Sequence, residues 1–285
     1  EMAFSYQTLK RITGTAIVDD TLTAADLADG LVTNGKIVGG NITSAKIDTN
    51  AVDMSSNVVT GTTPTSKGGT GRTSVGSAYQ LFTVNSSGNG TTFSNHGIYG
   101  MSVYTGNGTW NKPSGVRYVK VQVQGAGGGG SGHGESGAAG GYSERIIDVT
   151  GVNSVSVSIG GGGSGTYYSG AGGNSGGSSF GNYCSASGGR GANRNNQHSG
   201  GLGGVGSGGN LNIYGGGGQP HHTRSSVGGQ NYWGGAVAAG HPQGGHFSHR
   251  HESHASPGAG GSGGYFNGHR GANGKSGMVV VVMYY

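Results

Sequence analysis

The chain has 285 residues, of which 31% are hydrophobic, 9% are charged and 69 are glycine, a balance that leaves too few apolar groups for one large conventional core. A formal net charge of +5 without any Lys/Arg run argues against nucleic acid as a partner, and 5 prolines without a strict Gly-X-Y period exclude collagen. No stretch approaches the roughly 20 apolar residues of a membrane-spanning helix, so no membrane insertion is expected; a basic-then-apolar leader pattern is not visible, and the lone Cys184 excludes an intrachain disulfide framework.

Taken in order, residues 1–15 form a leading segment and residues 16–56 carry an internal repeat. Apolar residues stand at Ile17, Leu22, Leu27, Val32, Ile37, Ile42, Ile47 and Val52, every fifth position, while Thr23, Thr33 and Thr43 mark a doubled period of ten. Neither a helical nor a strand period fits, and Gly30, Gly35, Gly39 and Gly40 disfavour a helix. So short a unit cannot bury its apolar side alone. The segment is therefore expected to form a rod of short turns whose apolar residues meet on an axis shared between identical chains.

Residues 57–97 read as a small strand-rich connector. The stretch 61–71 is turn-rich, and short strands around Leu81 and Thr92 flank an expected hairpin loop at 85–90. Beyond 98 the signal sharpens. At 116–124 (VRYVKVQVQ), Val119, Val121 and Val123 alternate with Tyr118, Lys120, Gln122 and Gln124, as a half-buried strand requires; 141–149 and 152–159 alternate likewise, and the chain closes on an apolar strand from Met278.

Between these strands 52 of the 69 glycines fall in 125–277. Glycine loses more backbone freedom on folding than any other residue, so order here needs a compensating interaction. Such runs supply neither helix propensity nor core side chains. What remains is a bundle of extended helices of polyproline II geometry, whose backbones make no internal hydrogen bonds and must bond laterally to one another. Runs 125–277 are then the scaffold of a tip domain at 98–285, and the inserts between them are loops.

The inserts are chemically varied. They contain Tyr167 and Tyr168 at 166–169; Arg194 and His198 at 190–198; His221, His222 and Arg224 at 219–226; and Tyr232 and Trp233 at 230–233. The longest, 241–257, contains His246, Phe247, His249, Arg250, His251 and His254, and the last, 266–270, contains Phe266, His269 and Arg270. Flat rings and hydrogen-bonding edges of this kind are favoured on recognition loops. Each aromatic has a structural alternative, packing over the end of a glycine run.

Gly68-Gly69-Thr70-Gly71 ahead of a strand-rich connector resembles bacteriophage tail fibres, and the ten-residue repeat looks like their slender trimeric shafts. The stretch YTGNGTWNKPSGVRYVKVQVQGAGGGG at 104–130, with GMVVVV at 277–282, is similar to glycine-rich fibre tips. The interior resembles the adhesins of T-even long tail fibres, whose polyglycine II sandwich presents variable loops to the host. Those adhesins are separate polypeptides, whereas this glycine region continues from its own shaft, and no loop sequence carries over.

The fold this implies is mostly β and irregular: an elongated trimeric fibre with a repeat shaft, a connector and a C-terminal polyglycine II helix bundle bracketed by β-strands. The resemblance further implies an extracellular virion protein, attached through residues 1–15 to other virion tail proteins. It would bind a bacterial outer-surface receptor, protein or polysaccharide, through its loops. A purely structural fibre or spacer is the alternative.

Enzyme activity is not expected: beyond Asp53 the only acids are Glu135, Glu144, Asp148 and Glu252, short of the paired carboxylates of glycan cleavage. Phosphate-binding signatures are weak, since G-x-G-x-x-G arises by chance in such composition and His269 stands where the pattern ending in Gly274-Lys275-Ser276 needs glycine. No cofactor is expected apart from a candidate transition metal at His249 and His251, whose H-x-H spacing puts both imidazoles on one side of an extended chain, three copies presenting six around a threefold axis. The other reading is of exposed loop imidazoles that hydrogen-bond a ligand or water. Metal analysis of protein purified without chelators separates the two: a stoichiometric transition metal supports ligation, and metal-free protein ends it.

Overall fold

The computed structural model describes residues 76–78, 80–167, 170–193, 199–220, 226–237, 255–264 and 269–285. The chain divides into two units, Glu1–Ser74 and Val75–Tyr285, and the described residues all belong to the second. The expected shaft and leading segment thus lie outside the described residues. Within them every regular element is a strand, and no helix occurs.

A two-stranded hairpin comes first, β1 (Gln80–Val84) against β2 (Thr91–Asn95), around the loop at 85–90. Ten further strands follow. They are β3 (Ile98–Tyr104), β4 (Gly108–Asn111), β5 (Tyr118–Gln124), β6 (Tyr142–Asp148), β7 (Ser154–Ser158), β8 (Ser178–Phe180), β9 (Cys184–Ala186), β10 (Gly206–Ser207), β11 (Leu211–Ile213) and β12 (Met278–Tyr284). They build two antiparallel five-stranded sheets, β10-β9-β8-β7-β4 and β11-β6-β5-β12-β3.

The sheets share one apolar core. Val119, Val121 and Val123 of β5 and Val279 and Val281 of β12 meet Trp110, Val157 and Phe180 from the opposite sheet, with the Trp110 and Phe180 rings 5.8 Å apart. Each such side chain contributes about 1.5–3 kcal/mol on burial. The alternation in β5 and β7 reads directly as one face in and one face out. The unbroken apolar run of β12 reflects its place between β5 and β3, where Val280 on the outer face is buried too.

Eight of these strands continue into glycine-rich runs. Strand β5 leads into 125–131 and β6 is entered from 135–141; β7 leads into 160–166, β8 is entered from 170–176, and the pattern repeats through β9, β10, β11 and β12. The runs are joined by backbone bonds whose partners change in a cycle of three. Gly125 and Gly128 donate to Gly141 and Ala138, Ala126 and Gly129 to Gly176 and Gly173, and Gly127 and Gly130 to Lys275 and Ala272. Carbonyls of the same run accept from Gly163 and Thr166, from Gly189 and Ala192, and from Gly261 and Gly264. Run 125–131 is therefore enclosed by six neighbours, three antiparallel ones that accept its N–H groups and three parallel ones that donate to its carbonyls.

Run 135–141 is enclosed in the same way. Its N–H groups go to 216–219, 258–261 and 187–190 in turn, and every residue from 123 to 143 except His133 is buried. A buried backbone must find partners for all its polar groups, and here the neighbouring backbones supply them. The approach this needs leaves no room for a side chain: a Cβ added at Gly127 would sit 1.9 Å from the carbonyl oxygen of Ala259, and one at Gly137 2.1 Å from that of Gly128. At the junction with the sheet, Gln124 donates its side-chain amide to the carbonyls of Gly125, Gly140 and Gly141 at 2.9 to 3.1 Å.

Gly127→Ala and Gly137→Ala are each expected to destabilise the fold by about 3 kcal/mol, the upper end for forcing atoms into a packed interior. Gly161→Ala, with nothing within 4 Å of the added methyl, is expected to leave the melting temperature unchanged. Thermal unfolding of the three variants checks this.

Candidate functional site

Laterally bonded residues lie at one level along the runs, so the bond register says at which end each insert emerges. The sheets occupy one end. At the other stand the turn 131–135 and the described flanks of four inserts: Thr166 bonds to Gly130, Ala192 to Gly129, Ser136 to Gln219, and Gly264 to Ser131, while Gly271 bonds to Thr166. An isolated antiparallel bridge joins Asn193 to Ser199 across the insert at 194–198, and another joins Tyr167 to Arg270.

Tyr167 and Arg270 are the sequence-predicted site residues that this end brings together. The Arg270 guanidinium lies over the Tyr167 ring, 5.5 Å from its centre, and is aimed by hydrogen bonds to the Gly165 carbonyl at 3.1 Å and the Asn273 side chain at 3.3 Å. Asn273 also accepts the N–H of Gly165 at 2.8 Å, tying two runs together beneath the pair. His269 adjoins Arg270. The turn 131–135 was not singled out from the sequence; Ser131 bonds the buried Glu135 carboxylate within it, and Ser226 bonds the Gly134 carbonyl. Its signal was available, since SGHGE interrupts two glycine runs.

Tyr232 and Trp233 sit elsewhere, against the outer face of the β6-containing sheet. Tyr232 stacks on Tyr142 with ring centres 3.9 Å apart and planes 17° from parallel, and Trp233 stands edge-on to both. The described part of the longest insert is at this end too, where Asn231 bonds the Pro257 carbonyl at 2.6 Å and Ser256 the carbonyls of Gly234 and Gly235. Beside the rings, Glu144 accepts from the Tyr142 hydroxyl at 2.7 Å and Gln122 at 3.0 Å, and pairs with Lys120 at 3.0 Å. Burial pushes the Tyr142 hydroxyl well above its ordinary range. Burial also pushes Glu144 up, but the hydrogen bonds from Tyr142, Lys120 and Gln122 outweigh it and hold the carboxyl below its ordinary value of 4.5.

The remaining candidates, Tyr168, Arg194, His198, His221, His222, Arg224, His246, Phe247, His249, Arg250, His251, His254 and Phe266, lie outside the described residues. Among the described residues no three histidine, cysteine or acidic side chains gather in a way that would hold a metal ion. Cys184 is buried in the core, which pushes its thiol up to about 11 and keeps it protonated at neutral pH.

Residues 102–284 match the model of a family described as a glycine-rich domain, and the chain belongs to that family. No curated protein matches it.

Glu144 has a folded-state pKa below its unfolded value, so its contribution to stability is complete above about 4.5 and is lost as pH falls through the lower folded value. Wild-type protein is expected to lose stability progressively below that pH, and Glu144→Gln is expected to flatten this part of the profile. Chemical unfolding across pH 2–6, an ordinary window for carboxylate titration, checks it.

Proposed function

We propose that this protein is an extracellular virion tail-fibre protein, a homotrimer whose glycine-rich end binds a bacterial outer-surface receptor, protein or polysaccharide. On this reading the runs are polyglycine II helices and the inserts between them are recognition loops. The period-three succession of partners supports the helical reading, because a helix with three residues per turn points successive N–H groups in three directions. The attachment reading is carried by one observation: the described flanks of four chemically varied inserts converge at the end of the bundle away from the sheets. Loops held by rigid elements and gathered on one surface are the usual form of a binding site.

The period-five repeat at 16–56 supports association of identical chains, and the resemblance to tail fibres supports docking of residues 1–15 on other virion proteins. Three tips on each fibre raise effective concentration, which turns individually weak, polar loop contacts into firm attachment. The His-x-His element at His249 and His251 remains a proposed metal site on the same terms.

The test is adsorption. Replacing 194–198 or 221–225 by unrelated segments of equal length, or Tyr167 and Arg270 by alanine, is expected to reduce binding of the purified protein to host cells by tenfold or more, a loss of about 1.4 kcal/mol. Unfolding midpoints should stay within a few degrees, roughly the size of a surface effect. Adsorption indifferent to all of these exchanges would overturn the reading.

A further inference from the structure

The outer face of the β6-containing sheet holds a second chemical surface, at the opposite end of the runs from the converging inserts. Tyr232 stacks with one ring face on Tyr142 and Trp233 stands at 85° to it, so the two rings form a corner. Both remain exposed, at 48% and 39%. The corner is fixed from behind: the Asn231 side-chain oxygen accepts the Trp233 backbone N–H at 2.9 Å, and Asn231 is itself tied to Pro257.

Register defines what lies beside it. Tyr142 and Glu144 share one face of β6, Gln122 of β5 is opposite Glu144, and Lys120 lies one pair along on the same face. Gln122 donates to both the Tyr142 hydroxyl and Glu144, and Lys120 pairs with Glu144, so these groups are oriented before any ligand arrives. Lys120 and Glu144 offset each other in charge. The result is an exposed aromatic wall beside a polar group that is close to neutral, bordered on the same face by Leu211, Ile146 and Val280.

We propose that this face is a binding site for a neutral saccharide. The apolar C–H face of a pyranose ring matches the open ring faces of Tyr232 and Trp233, and its hydroxyls match a floor that offers amide, ammonium and carboxylate groups together. An acidic polymer would need net positive charge here, and a wholly apolar peptide would strip water from the Lys120–Glu144 pair without replacing it. The site goes beyond the attachment reading and stands apart from the residues that carry it, so either can fail without the other.

The full-length protein is to be applied to an array of bacterial surface polysaccharides, and affinity for any retained glycan measured for wild type, Trp233→Ala and Gln122→Ala. Retention of a neutral glycan is expected, with each substitution weakening it about tenfold, the scale of one lost aromatic or hydrogen-bonding contact. Should Trp233→Ala fail to fold, as judged by near-ultraviolet circular dichroism, Gln122→Ala on the outer face decides alone. No retained glycan, retention of acidic glycans only, or a folded variant that binds as tightly as wild type would overturn the proposal.

Discussion

Lateral bonding of bare backbone to bare backbone is the interaction on which this molecule depends. Each of the two enclosed runs, 125–131 and 135–141, supplies its N–H groups to three neighbours and takes donors from others, which removes the polar groups from water without a pleated sheet. The energetics are nearly balanced. Ordering a residue's backbone costs about 1–2 kcal/mol and glycine lies at the upper end, whereas a hydrogen bond returns about 1 kcal/mol net. The runs are therefore poorly suited to stand alone, and their direct continuation into a valine-rich sandwich is what holds them in register.

That dependence explains why the two sheets and the runs share the same chain segments. Every strand from β5 to β12 either feeds a run or receives one. The apolar core fixes where each backbone leaves the sheet, and the cycle of three fixes how it is spaced from its neighbours. Chemistry is then left to the two ends. One end gathers the flanks of four inserts around the turn 131–135; the other carries the aromatic corner on the sheet.

Much of this could be read from residue order. The alternation of Val119, Val121 and Val123, the apolar stretch from Met278 and the glycine density between them located the principal strands and the need for lateral bonding. The short strands β8 to β11 escaped notice, because pieces as small as Gly206–Ser207 or Cys184–Ala186 have no period to detect and exist through pairing with distant partners. The balance between glycine runs and an apolar core was likewise hidden, since Trp110 and Phe180 are far apart in sequence and come together only because β4 and β8 flank β7 in one sheet. For the site, sequence located Tyr232 and Trp233 but grouped them with Tyr167 and Arg270; only the register of bonds separates the two ends. Tyr142, Glu144, Gln122 and Lys120 were legible as the outward face of strands, yet nothing in their spacing announced the ring that stacks on them.

The continuity of strand and run also has a mechanical meaning. A pull applied at the insert end, directed along the runs, meets bonds that lie across the direction of force. They are loaded together in shear, not opened one after another like a zip. Tension is handed sideways from the pulled segment to its neighbours and from there into two sheets, so a load on one insert is spread over the laterally bonded runs around it.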